Sequence, residues 1–211
     1  MILLEKGLFD ETLALKRGFI EPNMILIELA AWMGRVYRIE VINFSYKQEA
    51  QGSRKCLIIL FEHIYERGFD SVMSRDLVNH FRDFCEMYDY EDYHRSDEIY
   101  VSYINFEDEL RSEIMKMAWK DIEKIGTVFT GIPIWNVHYE FQEVHVFYNL
   151  ESEVEKYKND GTSKQIEEHC HHLLGKYDEF GVYGERTVCK FVSREMINDK
   201  FAGNMFYYTR R

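Results

Sequence analysis

Proline is almost missing from this chain: Pro22 and Pro133 are the only two in 211 residues. No Gly/Ser linker, low-complexity tract or long block of like charge occurs either. An extended disordered stretch is therefore not expected. Cysteine is sparse. Cys56, Cys85, Cys170 and Cys189 contain no CxxC pair, and the first two fall in apolar runs. That spacing shows no disulfide framework and predicts reduced thiols. Basic clusters are few; "LKR" at 15–17 and "TRR" at 209–211 are the densest, and the net charge is −11. This balance argues against nucleic acid and against an anionic membrane as partners. Long hydrophobic runs are missing too. "MILIELAAWM" at 24–33 is about half a membrane span and contains Glu28. Met1 is followed by "ILLEKGLFDETL", without a basic leader region, so a cytoplasmic protein is predicted. Walker, GxGxxG, HExxH, GxSxG and zinc-finger motifs are all absent.

What the chain does have is apolar and aromatic material. Apolar residues make up 46% and aromatics 16%, including 15 Tyr and 15 Phe. A large core is affordable, and tyrosine in such number also suits interfaces. The pattern predicts an α+β fold: one mixed, mostly antiparallel, twisted sheet of about five to seven strands with helices packed on its faces. Residues 1–211 read as a single domain, with 1–34 as a helical N-terminal arm or cap.

The elements follow from periodicity. "FDETLALKRG" reads as a short helix, with Asp10 as cap and Gly18 as stop. "MILIELAAWMG" reads as a helix ending at Gly34, apolar nearly all round, hence buried or a subunit contact. "VYRIEVINFSYKQ" is a strand whose apolar parity switches at 41–42, which predicts a bulge or a strong twist there. "CLIILF" has no polar face and predicts a central strand covered on both sides. "SRDLVNHFRDFCEMY" is an amphipathic helix with Ser74 as cap. "EIYVSYINF" is a strand, and "EDELRSEIMKMAWKDIEKIG" a helix that Asn105 and Asp108 start and Gly126 ends. "IWNVHYEFQEVHVFYNL" switches parity again. A bulged long strand is favoured over a tight hairpin at Gln142-Glu143, because those residues are poor turn formers. Two helices about "NDGTS", the strand "ERTVCKFV", a helix capped by Ser193 and a closing strand "NMFYYT" complete the chain. One faint regularity appears. A helix ending in Tyr88-Asp89, then a strand and a helix, recurs as a helix ending in Tyr177-Asp178, a strand and a short helix. The plainer explanation is that αβ units look alike.

Four places carry possible chemistry. The stretch 83–109 holds ten acids against the single Arg95, a net of −9, with Tyr88, Tyr90 and Tyr93 interleaved. Charges speed encounter and rigid rings supply contact area, so Tyr88, Asp89, Tyr90, Glu91, Asp92, Tyr93, Asp97 and Glu98 form a candidate surface for a basic protein. A solvated loop is the bland alternative. Glu62 and His63 follow the buried strand and are candidates for a base or a ligand pair if that strand has a parallel neighbour. "HCHH" at 169–172 looks like a metal motif, but 100° per residue puts Cys170 inward and His172 outward. Only Glu168, His169 and His172 can meet on the exposed side, as a shallow site apt to pick up stray divalent metal. Asp121 is the one carboxylate on the apolar stripe of its helix. The expectation is a non-catalytic binding protein without cofactor or resident metal, in its sharpest form an acidic inhibitor or immunity-type module. The alternative is a small hydrolase or metal-dependent enzyme built on Glu62/His63 or His169/His172. A homo-oligomer through 23–33 is the third option.

Overall fold

A computed structural model describes residues 4–48, 55–62, 69–90, 98–140 and 142–210. The fold is α+β. Its contacts gather into two compact units, 1–109 and 110–211, where the sequence reads as one domain. Among the described residues six strands form two three-stranded sheets rather than one sheet, each with one antiparallel and one parallel pairing. Among the described residues no helix is long and apolar enough to cross a membrane.

The first unit begins with α1 (Lys6–Lys16) and α2 (Met24–Tyr37). The strands β1 (Val41–Gln48) and β2 (Lys55–Phe61) pair antiparallel, α3 (Ser71–Met87) follows, and β3 (Ile99–Asn105) pairs parallel to β2. The uninterrupted apolar run of β2 takes the central place, buried from Cys56 to Phe61. The parity switch in β1 is resolved by a bulge between Val41 and Asn43. The extra residue lets Val41, Phe44 and Tyr46 share one face despite their spacing. On that face they join Leu57, Ile59 and Phe61 from β2, Leu29 and Met33 from α2, and Leu77 and Phe81 from α3 in a single core. Within residues 1–34, α2 buries Ile25, Leu26, Leu29, Trp32 and Met33 in this unit. Asn43, placed by the bulge, is buried. Its Nδ2 donates to Thr12 Oγ1 at 2.9 Å, and that hydroxyl donates to the Leu8 carbonyl at 2.7 Å. One polar chain thus ties α1 to the sheet with every member satisfied.

The helix starts differ from their sequence assignments by small amounts with clear causes. Asn23 caps α2 by accepting from the Leu26 N–H. Asp70, not Ser74, caps α3 by accepting from the Met73 N–H, so Ser74 falls inside the first turn. Asp10 lies within α1. Helix α2 runs past Gly34 and stops where Arg38 turns left-handed, at φ 59°.

The unit boundary falls within α4 (Phe106–Ile122). Asn105 starts this helix by accepting from the Glu107 N–H, and its Nδ2 donates to Asp108 at 2.7 Å. It ends before Gly126, which belongs to the short α5 (Ile125–Val128). The second unit continues with β4 (Ile134–Glu140) and β5 (Glu143–Tyr148). Here the hairpin prevails over the bulged long strand. Glu140 pairs with Glu143, and Gln142 adopts φ 74° at the turn. A bulge does exist, but earlier, between Ile134 and Asn136. The helices α6 (Glu151–Asn159) and α7 (Thr162–Gly175) follow, then β6 (Cys189–Ser193) parallel to β5. Ser193 caps α8 (Arg194–Phe201) by accepting from the Met196 N–H. "NMFYYT" is not a strand but the short helix α9 (Met205–Tyr208), capped by Asn204.

The two units repeat one topology: antiparallel pair, helical layer, a third strand parallel to the second, then a helix. The correspondence extends to detail. Each first strand has its bulge just before an asparagine, Asn43 or Asn136. Each third strand ends on a polar residue, Asn105 or Ser193, that accepts from an N–H of the next helix. Phe61, paired with Val41 and Asn105, matches Tyr148, paired with Ile134 and Ser193.

Candidate functional site

The acidity is concentrated in one place. Unit 1 has 21 acids against 12 Lys and Arg, and unit 2 has 16 against 14. Within unit 1, residues 1–82 balance at 11 of each, so 83–109 accounts for all of its excess. Of the eight residues singled out there, Glu91, Asp92, Tyr93 and Asp97 lie outside the described residues. Tyr88, Asp89 and Tyr90 continue from the end of α3, and Glu98 precedes β3.

The described tyrosines are partly used by the unit itself. Tyr90 is half-buried, edge-on to Phe44 at 6.1 Å, and its N–H donates to the Cys85 carbonyl. Tyr88 donates from its hydroxyl to Glu28 Oε1 at 3.1 Å. That bond explains Glu28 within the apolar α2, and it holds the phenol above its ordinary pKa, with burial adding to the shift. Glu98 lines a groove of about 560 Å³ with Arg75 and Arg82, so its surroundings are of mixed sign. Glu107 and Asp108 serve the start of α4, where carboxylates favour the helix dipole. Among the described residues of the stretch, Glu98 is exposed before β3, and Asp83, Glu86 and Asp89 are exposed at the end of α3, with Met87 between them 68% exposed. Glu86 lies in the last turn of α3, which contains no basic residue. Carboxylates at a helix C-terminus oppose its dipole.

Glu62 stands at the carboxyl end of β2, beside the parallel β3. Its N–H donates to the Glu40 carbonyl, extending the ladder by one residue. Both of its oxygens accept from Lys16 Nζ, at 2.5 and 2.6 Å, and the pair is only 15% and 19% exposed. His63 lies outside the described residues. Glu62 and Lys16 line an open groove of about 490 Å³ between α1, α2 and the strands.

The histidine-rich α7 is an ordinary amphipathic helix. Ile166, Cys170, Leu173 and Leu174 are buried and His172 is exposed. His169 packs edge-on to Phe129 at 5.7 Å, and Glu168 pairs with Lys164 at 3.7 Å. Among the described residues no three His, Cys, Asp or Glu side chains converge to hold a metal ion. Cys170 instead meets Cys189 of β6, and that hydrogen bond, followed by burial, pushes the Cys189 thiol far up. Asp121 is exposed and pairs with Lys124 at 3.4 Å.

A polar network in the second unit is invisible to the linear pattern. His145 is buried, with Nδ1 2.8 Å from the Tyr208 hydroxyl and Nε2 3.8 Å from Glu143, which also pairs with Lys190. His138 faces His145 across the hairpin and approaches Glu140 at 3.8 Å. The alternating H-x-E-x-x-E-x-H of 138–145 was the available signal; it becomes meaningful only once the hairpin register places like residues opposite each other. The network fastens α9 to the sheet.

No protein-family model matches the sequence, and no curated protein or solved structure does either.

Proposed function

We propose that this chain is a non-catalytic binding protein whose acidic surface engages a basic protein partner, in the manner of an inhibitor or immunity-type module. The observation that carries this reading is the position of the acids. All the excess negative charge of unit 1 lies in 83–109, and three of its exposed carboxylates, Asp83, Glu86 and Asp89, crowd the end of α3, where they oppose the helix dipole. Charge kept at such a local cost is expected where a partner uses it. Met87 supplies an adaptable apolar contact among the carboxylates. Four thiols without a disulfide favour a reducing compartment, and we place the protein in the cytoplasm.

The test is capture of partners by the full chain at low and at about 0.5 M salt, beside a variant carrying Asp83→Asn, Glu86→Gln and Asp89→Asn. The reading expects capture that salt abolishes and that the variant weakens by about tenfold, on the order of 0.5 kcal/mol per charge. Capture indifferent to both, or no partner at all, would overturn it.

A further inference from the structure

The groove at Glu62 has a composition that the fold does not demand. Its walls are aliphatic: Leu15 from α1, Leu26, Ile27 and Ala30 from α2, and Val41 and Ile42 from β1. Among the described residues its charged lining is Lys16, Glu40 and Glu62. A volume of about 490 Å³ is in the range of small-molecule sites, which pair apolar walls with a few placed polar groups. The repeat provides an internal comparison. Position 62 follows Phe61 as position 149 follows Tyr148, and the second unit has the neutral Asn149 there. The topology therefore forms without a carboxylate at this point.

Lys16 takes one acceptor site on each oxygen of Glu62, and a carboxylate has about four. Glu62 can accept again without losing Lys16. Among the described lining residues the carboxylates outnumber the cations by one, which favours a monocation, whereas an anion would have to compete with Glu62 for Lys16.

We propose that this groove binds a small aliphatic primary amine, the ammonium between Glu40 and Glu62 and the hydrocarbon chain against Leu26, Ile27, Ala30 and Ile42. This site shares no residue with the acidic surface at the end of α3, so either assignment can fail alone.

Calorimetric titration of the full chain with n-hexylamine, hexanoate and 1-hexanol tests it directly. Hexylamine should saturate one site with a Kd of about a millimolar, the range open to a ligand of so few atoms. Hexanoate and hexanol should bind at least about tenfold more weakly, because only the ammonium gains charge-assisted bonds. Glu40→Gln should weaken hexylamine several-fold. Glu62→Gln tests the second carboxylate, with circular dichroism to show that it is folded. Should Glu62→Gln not fold, the ligand comparison and Glu40→Gln, at an exposed position, still decide. The variant neutralised at Asp83, Glu86 and Asp89 should bind hexylamine as the wild type does; loss there would mean diffuse attraction to an acidic protein and would overturn the site. Equal binding of hexanoate or hexanol, no saturation by hexylamine, or unchanged binding in the folded glutamate variants would overturn it as well.

Discussion

Single side chains in this protein are decided by whether a buried polar atom finds a partner. Asn43 is the clearest example. It is buried, and its amide connects β1 to Thr12 of α1 while its Oδ1 accepts from the Phe44 N–H. Asn43→Leu should destabilise the protein by about 1–3 kcal/mol, since Thr12 loses its donor and the bulge its brace. Urea denaturation measures this, and a change within about 0.5 kcal/mol would show the contact to be idle. Tyr148 makes a pH prediction. Burial pushes its phenol from the ordinary 10.0 up to about 12, with Ser163 pulling the other way. The unfolded chain ionises first, so the contribution is whole below pH 10.0 and is lost as pH rises through about 12. Tyr148→Phe should flatten part of the alkaline fall in stability and leave neutral pH nearly unchanged. Equal slopes for both proteins between those limits would refute the assignment.

At the level of elements, the helix ends hold the most testable features. Ala202 closes α8 in the left-handed region at φ 51° and is exposed. Ala202→Gly removes the strain on Cβ there and should stabilise by about 0.5–1 kcal/mol, read as a rise in Tm. The end of α3 is the counterpart with a cost. Glu86→Lys replaces an unfavourable charge in the last turn by a favourable one, and should stabilise by about 0.3–1 kcal/mol while reducing capture of a basic partner. Stabilisation without any loss of capture would separate the acids from function. The β4–β5 hairpin shows where linear reasoning fails. Gln142 is a poor turn former, yet it adopts φ 74°. Its amide oxygen accepts from Arg111 Nε at 3.2 Å. A distant residue in sequence thus takes part in holding a turn that local propensity disfavours.

Taken as a whole, the chain is a twofold repetition of one αβ arrangement, with two buried cysteines in each half: Cys56 and Cys85, then Cys170 and Cys189. The Cys85 thiol is pushed from 9.0 up to about 12 by burial, then by Glu86, and Cys189 is also raised. Thiolate, not thiol, reacts with disulfide reagents. The native protein should therefore show no fast thiol, and all four should appear only as denaturant unfolds it. A thiol that reacts at once in native buffer would contradict the burial of at least one unit.

The α+β class, the central position of β2, the bulge in β1 and the capping by Asn105 and Ser193 were all readable from residue order. Each depends on neighbours a few positions away, through periodicity of 2 or 3.6 and through side chains that reach their own backbone. The division into two sheets, the 140–143 turn, the Lys16–Glu62 pair and the His145–Tyr208 contact span up to 63 residues, and tertiary structure alone decided them. Period-2 alternation says that a strand exists and which face is apolar. It does not say which strand lies beside it, because pairing is fixed by burial summed over the whole core.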